Sequence, residues 1–129
     1  MTEENFDDNQ KKLIKHFSNG LTRNLILWII SKEKIHGYGI MKRLDEFYDL
    51  DDFDCEIKNS SSKVYPILAR MEKNGLIVGE WDVNENNKRV KYYTITEEGL
   101  LILDHISTVM KSLVNNPSWV MFYEDMLGR

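Results

Sequence analysis

Apolar residues recur at helical spacing through the first third of the chain. The pattern predicts helices over residues 6–17, 21–32 and 38–48, each with an apolar stripe along one side. Residues 18–20 read SNG, which is typical of a helix end, so the first two helices are expected to be separate. The pair His-Gly at 36–37 separates the second helix from the third. The first part of the chain is therefore expected to be helical, with two breaks.

The second part of the chain combines helical and strand patterns. Residues 63–77 read KVYPILARMEKNGLI and predict a fourth helix. Segments 76–83 and 89–95 are rich in β-branched and aromatic residues and flank the polar group NENNK, which predicts an antiparallel hairpin. A helix over 96–115 is expected next, and the Asn-Pro pair at 116–117 is typical of the start of a short final helix.

The fourth predicted helix contains a proline. Pro66 removes one backbone donor and crowds the carbonyl of Ser62, which costs roughly 3 kcal/mol in a helix interior. Asn59 and Ser60 suit the N-cap of this helix, and Gly75 suits its C-terminal end. At 100° per residue, the side predicted to be buried holds Val64, Ile67, Leu68 and Met71. The side predicted to be exposed holds Ser62, Lys63, Pro66, Ala69, Arg70 and Lys73.

The order of the predicted elements is that of a winged helix-turn-helix domain. In that layout three helices precede a two-stranded hairpin, the third helix reads DNA and the hairpin is the wing. One helix at the front is additional here, so the reading helix is expected to be the fourth. The expected fold class is mainly α, with a small antiparallel β-hairpin as the wing and further helices at both ends.

Charge is distributed unevenly in a chain whose net charge is −4. Residues 44–56 hold seven acids and no base, whereas residues 57–95 hold seven bases against four acids. The exposed side of the fourth helix and the hairpin segment NNKRVK both belong to this basic part. In a winged helix, both of these elements face the same ligand. Basic residues on both of them therefore favour a nucleic-acid partner.

Other classes of function find little support in the composition. The longest apolar run, residues 25–30, is too short to cross a bilayer, and residues 1–10 lack the features of a secretory signal. Cys55 is the single cysteine and lies between acids, which disfavours both a disulfide and a reactive thiolate. The acidic run DLDDFDCE lacks the glycine and the distal glutamate of an EF-hand loop. A cytoplasmic, non-enzymatic protein without metal, cofactor or membrane contact is expected.

Three segments together resemble the PadR family of bacterial and archaeal transcriptional regulators. They are GYGI at 37–40, SSSKVYPILARMEKNGLI at 60–77 and KRVKYYTITEEG at 88–99. The segments follow the order and spacing of the family's pattern, and the resemblance spans about residues 20–112. It implies a winged helix-turn-helix regulator of transcription.

The resemblance also implies a division of the chain and a partner. A helical arm over 1–19 would precede the winged helix-turn-helix domain over 20–95, and the helices over 96–129 would form a homodimer. The two reading helices would then meet successive grooves of a pseudo-palindromic double-stranded DNA operator, and the expected role is that of a repressor. The acidity of the chain favours one alternative, a winged-helix adaptor that binds proteins and does not read DNA.

The family's DNA-contact positions carry over residue by residue. The hydroxyl of Tyr38 would reach a phosphate and Arg89 is the wing arginine, whereas Tyr93 is expected to pack under the wing. The family's usual Gly-Thr-Leu is Ser-Lys-Val at 62–64 here, so an operator preference is not implied. The predicted DNA-binding set is Tyr38, Ser61, Ser62, Lys63, Tyr65, Pro66, Arg70, Lys73, Lys88, Arg89 and Lys91.

A group of aromatic residues has two interpretations. Trp28, Trp119, Phe122 and Tyr123 are expected to pack in the core of the dimer. Alternatively, they line a cavity that binds a flat aromatic small molecule as an effector, as in some relatives.

Overall fold

The computed structural model describes residues 6–47 and 61–128. Within these ranges the elements are α1 (Asp8–Lys32), β1 (Ile35–His36), α2 (Gly37–Phe47), α3 (Ser61–Lys73), β2 (Ile77–Val83), β3 (Arg89–Ile95), α4 (Glu97–Asn115) and α5 (Pro117–Leu127). The acidic run at 49–56, with Cys55, and the expected caps Asn59 and Ser60 lie outside the described residues. In the described ranges, every helix is too short or too polar to cross a bilayer.

Helix α1 is continuous through residues 18–20, so the prediction of two separate helices is wrong. Gly20 suggested a helix end, but its φ is not in the left-handed region and nothing lies within 4 Å of the position a Cβ would take. The helix begins at a capping box, in which Asp7 accepts the N–H of Gln10 at 2.8 Å and the Gln10 side chain accepts the N–H of Asp7 at 2.9 Å. One side of its C-terminal half is buried, and that burial outweighs the roughly 1 kcal/mol that one glycine costs a helix.

This correction also changes which helix corresponds to the predicted reading helix. With α1 in one piece, the helix that precedes the hairpin is α3, the third, as in the usual layout of the fold. The predicted fold class is otherwise confirmed, because the described chain is mainly helical with a small antiparallel sheet.

The predicted hairpin is present and belongs to a sheet of three strands in the order β1-β3-β2. Both pairings are antiparallel, with Ile77 opposite Ile95 in the hairpin and Ile35 opposite Tyr93 at the added edge. The sequence did not predict β1, because two residues are too few to establish an alternating pattern.

The core lies between α1, α2, α3 and the sheet. Its fully buried apolar side chains are Ile26, Ile29, Ile30, Ile40, Leu44, Val64, Leu68 and Ile77. Helices α4 and α5 lie outside this core, against which Leu103 of α4 packs. Of the described residues of these two helices only Gly99 is buried, and its Cα packs against the carbonyl of Leu76. The chain therefore leaves a large part of its C-terminal helices open.

Candidate nucleic-acid interface

Helix α3 is oriented as its sequence predicts. Val64 and Leu68 are 0% exposed, and Ile67 and Met71 are 8% exposed. These four residues turn the opposite side outward, where Ser62, Tyr65, Pro66, Ala69, Arg70 and Lys73 are exposed and Lys63 is half-buried. Ser61 is the first residue of the helix.

Pro66 lies inside α3 and does not end it. The ring is on the exposed side, so its cost is confined to one missing bond to the Ser62 carbonyl and some local crowding. Each fully buried aliphatic side chain of α3 contributes about 1.5–3 kcal/mol. Several such residues together offset a cost of roughly 3 kcal/mol, and the helix continues to Lys73.

A charged hydrogen bond joins α3 to the hairpin. Lys91 Nζ donates to Glu72 Oε1 at 2.9 Å, and Oε2 of the same carboxylate accepts the N–H of Gly79 at 3.2 Å. The hydrogen bond between the two side chains lowers the pKa of Glu72 and raises the pKa of Lys91. The three groups belong to α3, β2 and β3, so this contact sets the position of the hairpin relative to the helix.

Because of this contact, Lys91 differs from the other two basic residues predicted to bind DNA from the hairpin, Lys88 and Arg89. Its ammonium is half-buried and bonded to a carboxylate, whereas Lys88 and Arg89 are exposed. The turn that carries Lys88 is well defined, because the Asn84 amide oxygen accepts the N–H groups of Asn86 at 3.0 Å and Lys88 at 2.9 Å. Asn87 has a φ of 60°, a left-handed conformation that asparagine tolerates better than most residues.

Tyr65 packs directly over the start of α2. A Cβ at Gly37 would lie 2.6 Å from the Tyr65 hydroxyl oxygen, so only glycine leaves room for the ring. The tyrosine forms one wall of a cleft of about 550 Å³ between α2, α3 and the hairpin. We call this the aromatic cleft; its lining includes Tyr38, Tyr65, Trp81, Arg89, Lys91 and Tyr93. Tyr93 is 6% exposed, as expected for a residue packed under the wing, and burial raises the pKa of its hydroxyl.

Two residues at this cleft were not singled out from the sequence. His36 was interpreted only as a helix break, yet its Nδ1 accepts the N–H of Gly39 at 2.9 Å and so caps α2. Its ring also stacks on Tyr92, with centroids 5.4 Å apart. The second residue is Trp81, whose ring centroid lies 5.2 Å from the guanidinium carbon of Arg89. The register of the hairpin is the sequence signal that would have placed Trp81 and Arg89 on one face.

The four aromatic residues of the predicted effector cavity are only partly brought together. Trp28 and Tyr123 both line a cleft of about 730 Å³ between α1, α4 and α5. Trp119 and Phe122 are not among its lining residues; they pack on Tyr123, with ring centroids 6.1 and 5.9 Å from it. We call the cleft between α1, α4 and α5 the helical cleft.

Among the described residues, no group of three or more His, Cys, Asp or Glu side chains could hold a metal ion.

Comparison with protein families gives a match over most of these elements. Residues 26–104 match the model of the Transcriptional regulator PadR-like family. The matched residues include α2, α3, the complete sheet and the first turns of α4. No curated protein matches the chain.

Solved structures of similar proteins have the same fold. A PadR family transcriptional regulator from Eggerthella lenta is 26% identical with a TM-score of 0.67, over 89% of this chain and 94% of that one. A PadR-like transcriptional regulator from Bacillus cereus is 30% identical with a TM-score of 0.56, over 75% and 94%. A PadR-like transcription factor from Bacteroides fragilis is 22% identical with a TM-score of 0.62, over 83% and 92%.

Proposed function

The chain belongs to the PadR-like family of transcriptional regulators, and on this premise we propose that it binds double-stranded DNA as a homodimer and represses transcription. The observation that carries the proposal is the outward side of α3, which the bond between Glu72 and Lys91 holds beside the exposed hairpin bases Lys88 and Arg89. Helix and hairpin thereby form one continuous surface for a single ligand.

The outward side of α3 has the chemistry that a major groove requires. Ser62, Pro66 and Ala69 are small or compact, so the helix can approach base edges closely. Arg70 and Lys73 lie further along the same side and would meet phosphates. Ser61, Lys63 and Tyr65 complete the predicted contacts of this helix.

The hairpin and the start of α2 would hold the DNA backbone. Lys88 and Arg89 project from the hairpin, where a wing reaches phosphates or the minor groove. Tyr38 is exposed at the first turn of α2, so its hydroxyl is available to a phosphate. Lys91 contributes by holding the hairpin in place through Glu72.

The test of DNA binding is a gel-shift titration with the DNA directly upstream of the protein's own coding sequence. Wild-type binding should fall steeply with salt, because each neutralised phosphate adds about 0.9 to the slope of log K against log salt. Arg89→Ala removes one arginine from each half of the dimer, so it should reduce that slope by about 1.8 and weaken binding about tenfold or more. Lys12→Ala removes an exposed base from the start of α1 and is the matched control, expected to bind as wild type.

The second candidate function, the protein-binding adaptor, predicts a different result. A folded, dimeric protein that binds no DNA even at low salt would refute the first proposal and favour the adaptor. A tenfold loss with Lys12→Ala as well would show that Arg89 acts only through net charge.

Helices α4 and α5 support the proposed homodimer. They expose large apolar side chains along much of their length, including Leu101, Val109, Val114, Met121 and Leu127. Surfaces of this kind on small proteins mark an interface, and a second copy of the chain forms a self-complementary one. Such a dimer would place two α3 helices about one turn of DNA, roughly 34 Å, apart.

The dimer is tested by measuring mass in solution with light scattering. Val114→Glu should shift the protein toward the monomer and weaken DNA binding, because a charge would enter the apolar interface. Val78→Glu is the control, since Val78 is an exposed valine on β2. A wild-type monomer that binds its DNA tightly would contradict the proposed assembly.

We also propose that the helical cleft responds to a flat aromatic compound. Trp28 and Tyr123 line it, so stacking on Trp28 would change the tryptophan emission. A bound compound should quench fluorescence saturably in the wild type and in Trp119→Leu, but not in Trp28→Leu. Absence of saturable quenching across a panel of aromatic compounds would refute this proposal and leave dimer packing as the role of these residues.

A further inference from the structure

Trp81 on β2 is a large aromatic residue that contributes little to the core. It is 58% exposed, whereas Tyr93 on the same face of the sheet is 6% exposed. Its contact with Arg89 joins it to one of the predicted DNA-binding residues. We propose that Trp81 is a positioning residue, which holds the Arg89 guanidinium over the aromatic cleft so that the cleft receives a sugar-phosphate unit of one DNA strand. This inference rests on the proposed DNA binding.

The hairpin register places both side chains on one face. Arg89 is opposite Val83, and Trp81 is opposite Lys91. Successive side chains alternate between faces, so Trp81, Val83, Arg89 and Lys91 share a face. That face is directed toward α3, because Lys91 bonds to Glu72 on that helix.

The cation–π contact with Trp81 limits the positions that Arg89 can take. A free arginine near a hairpin tip has many rotamers, and ordering them opposes binding. A guanidinium whose carbon lies 5.2 Å from an indole centroid is within the range of a cation–π contact. A guanidinium over an indole can still donate through the N–H groups at the edge of its plane.

The chemistry of the aromatic cleft matches a phosphodiester. The hydroxyls of Tyr38 and Tyr65 and the guanidinium of Arg89 are donors from α2, α3 and β3. The described residues that line the cleft include no carboxylate, so nothing in the lining repels an anion. The exposed indole of Trp81 provides an apolar surface for the adjacent deoxyribose.

A double-mutant cycle tests this role. The variants are Trp81→Leu, Arg89→Ala and the combination, measured by fluorescence anisotropy with a labelled duplex of the upstream region. Trp81→Leu should weaken binding about two- to fivefold for each of the two contacts in the dimer, or about five- to thirtyfold in all, the range of exposed cation–π contacts. In the Arg89→Ala background the same substitution should have no effect, because Trp81 acts through Arg89. Trp81→Phe, which keeps a π face, should restore most of the wild-type affinity.

Tyr92 supplies a matched control on the other face of the hairpin. Its ring lies 5.3 Å from Lys34 Nζ, a contact of the same kind that does not involve Arg89. The fold-change in DNA affinity caused by Tyr92→Leu should therefore be the same in the wild-type and Arg89→Ala backgrounds. Circular dichroism and thermal unfolding verify that each variant is folded, which is expected for Trp81 because most of its side chain is exposed.

The possible results separate the two levels of the proposal. Equal weakening by Trp81→Leu in both backgrounds would show that Trp81 acts independently of Arg89 and would overturn this inference, while DNA binding itself would stand. The inference would also be overturned if Trp81→Leu left the DNA affinity unchanged in the wild-type background, or if Trp81→Phe bound DNA as weakly as Trp81→Leu. Absence of binding by the wild type would overturn the proposed function and this inference with it.

Discussion

The bond between Glu72 and Lys91 allows a quantitative test of how the hairpin is held. Glu72→Gln removes the charge but keeps an oxygen that can accept from Gly79. The N–O distance is 2.9 Å, and about 30% of each side chain is accessible, so solvent screens part of the attraction. We expect the substitution to lower the free energy of unfolding by about 1 kcal/mol at pH 7, which corresponds to a fall of about 3–6 °C in Tm.

The effect should depend on pH in a defined direction. The pKa of Glu72 is held below its ordinary value of 4.5 in the folded protein, chiefly by the hydrogen bond from Lys91. A group with a lowered folded pKa stabilises the protein above its unfolded pKa and loses that contribution as pH falls through the folded pKa. The difference between wild type and Glu72→Gln should therefore be complete at pH 7 and should shrink as pH falls below 4.5 toward the lowered pKa of the folded state.

Urea denaturation followed by circular dichroism measures this difference at pH 7, 5 and 3.5, at one fixed protein concentration because a dimer's stability depends on it. Glu80→Gln is the control; it removes an exposed carboxylate from the opposite face of β2. Equal stability of wild type and Glu72→Gln at pH 7 would refute the reasoning. A difference that persists unchanged at pH 3.5 would also refute it, because the charge would then not be its source.

Three further substitutions test separate parts of the fold by thermal unfolding. Gly20→Ala should raise stability by about 0.5–1 kcal/mol, because the position is helical and open; destabilisation would indicate a break in α1. Gly99→Ala should lower it by about 1–3 kcal/mol, since a Cβ would collide with the carbonyl of Leu76; a neutral result would contradict that packing. Asn116→Ala should cost about 1 kcal/mol and speed hydrogen exchange in α5, because the side chain accepts the N–H of Ser118 at 2.9 Å; unchanged exchange would argue against the cap.

The sequence determined those features that depend on residues close together in the chain. The spacing of Val64, Leu68 and Met71 specified which side of α3 is buried, and hence which side is outward. The alternating strands and the polar turn specified the hairpin, and Asn116-Pro117 specified the start of α5. Periodicity and capping are local, so one sequence was enough to identify them.

Only the tertiary structure decided the features that depend on distant contacts. Burial of one side of the C-terminal half of α1 against α2 and the sheet carries the helix through Gly20, where the local pattern indicated an end. The partner of Lys91 is nineteen residues away on another element, and Tyr65 is brought onto Gly37 by the packing of α3 on α2. From the sequence alone, a lysine or arginine side chain could bind either a DNA phosphate or a carboxylate of the protein. The fold places the Glu72 carboxylate beside Lys91 and the Trp81 indole beside Arg89. Because of these neighbours, Lys91 holds the hairpin against α3, whereas Arg89 stays exposed.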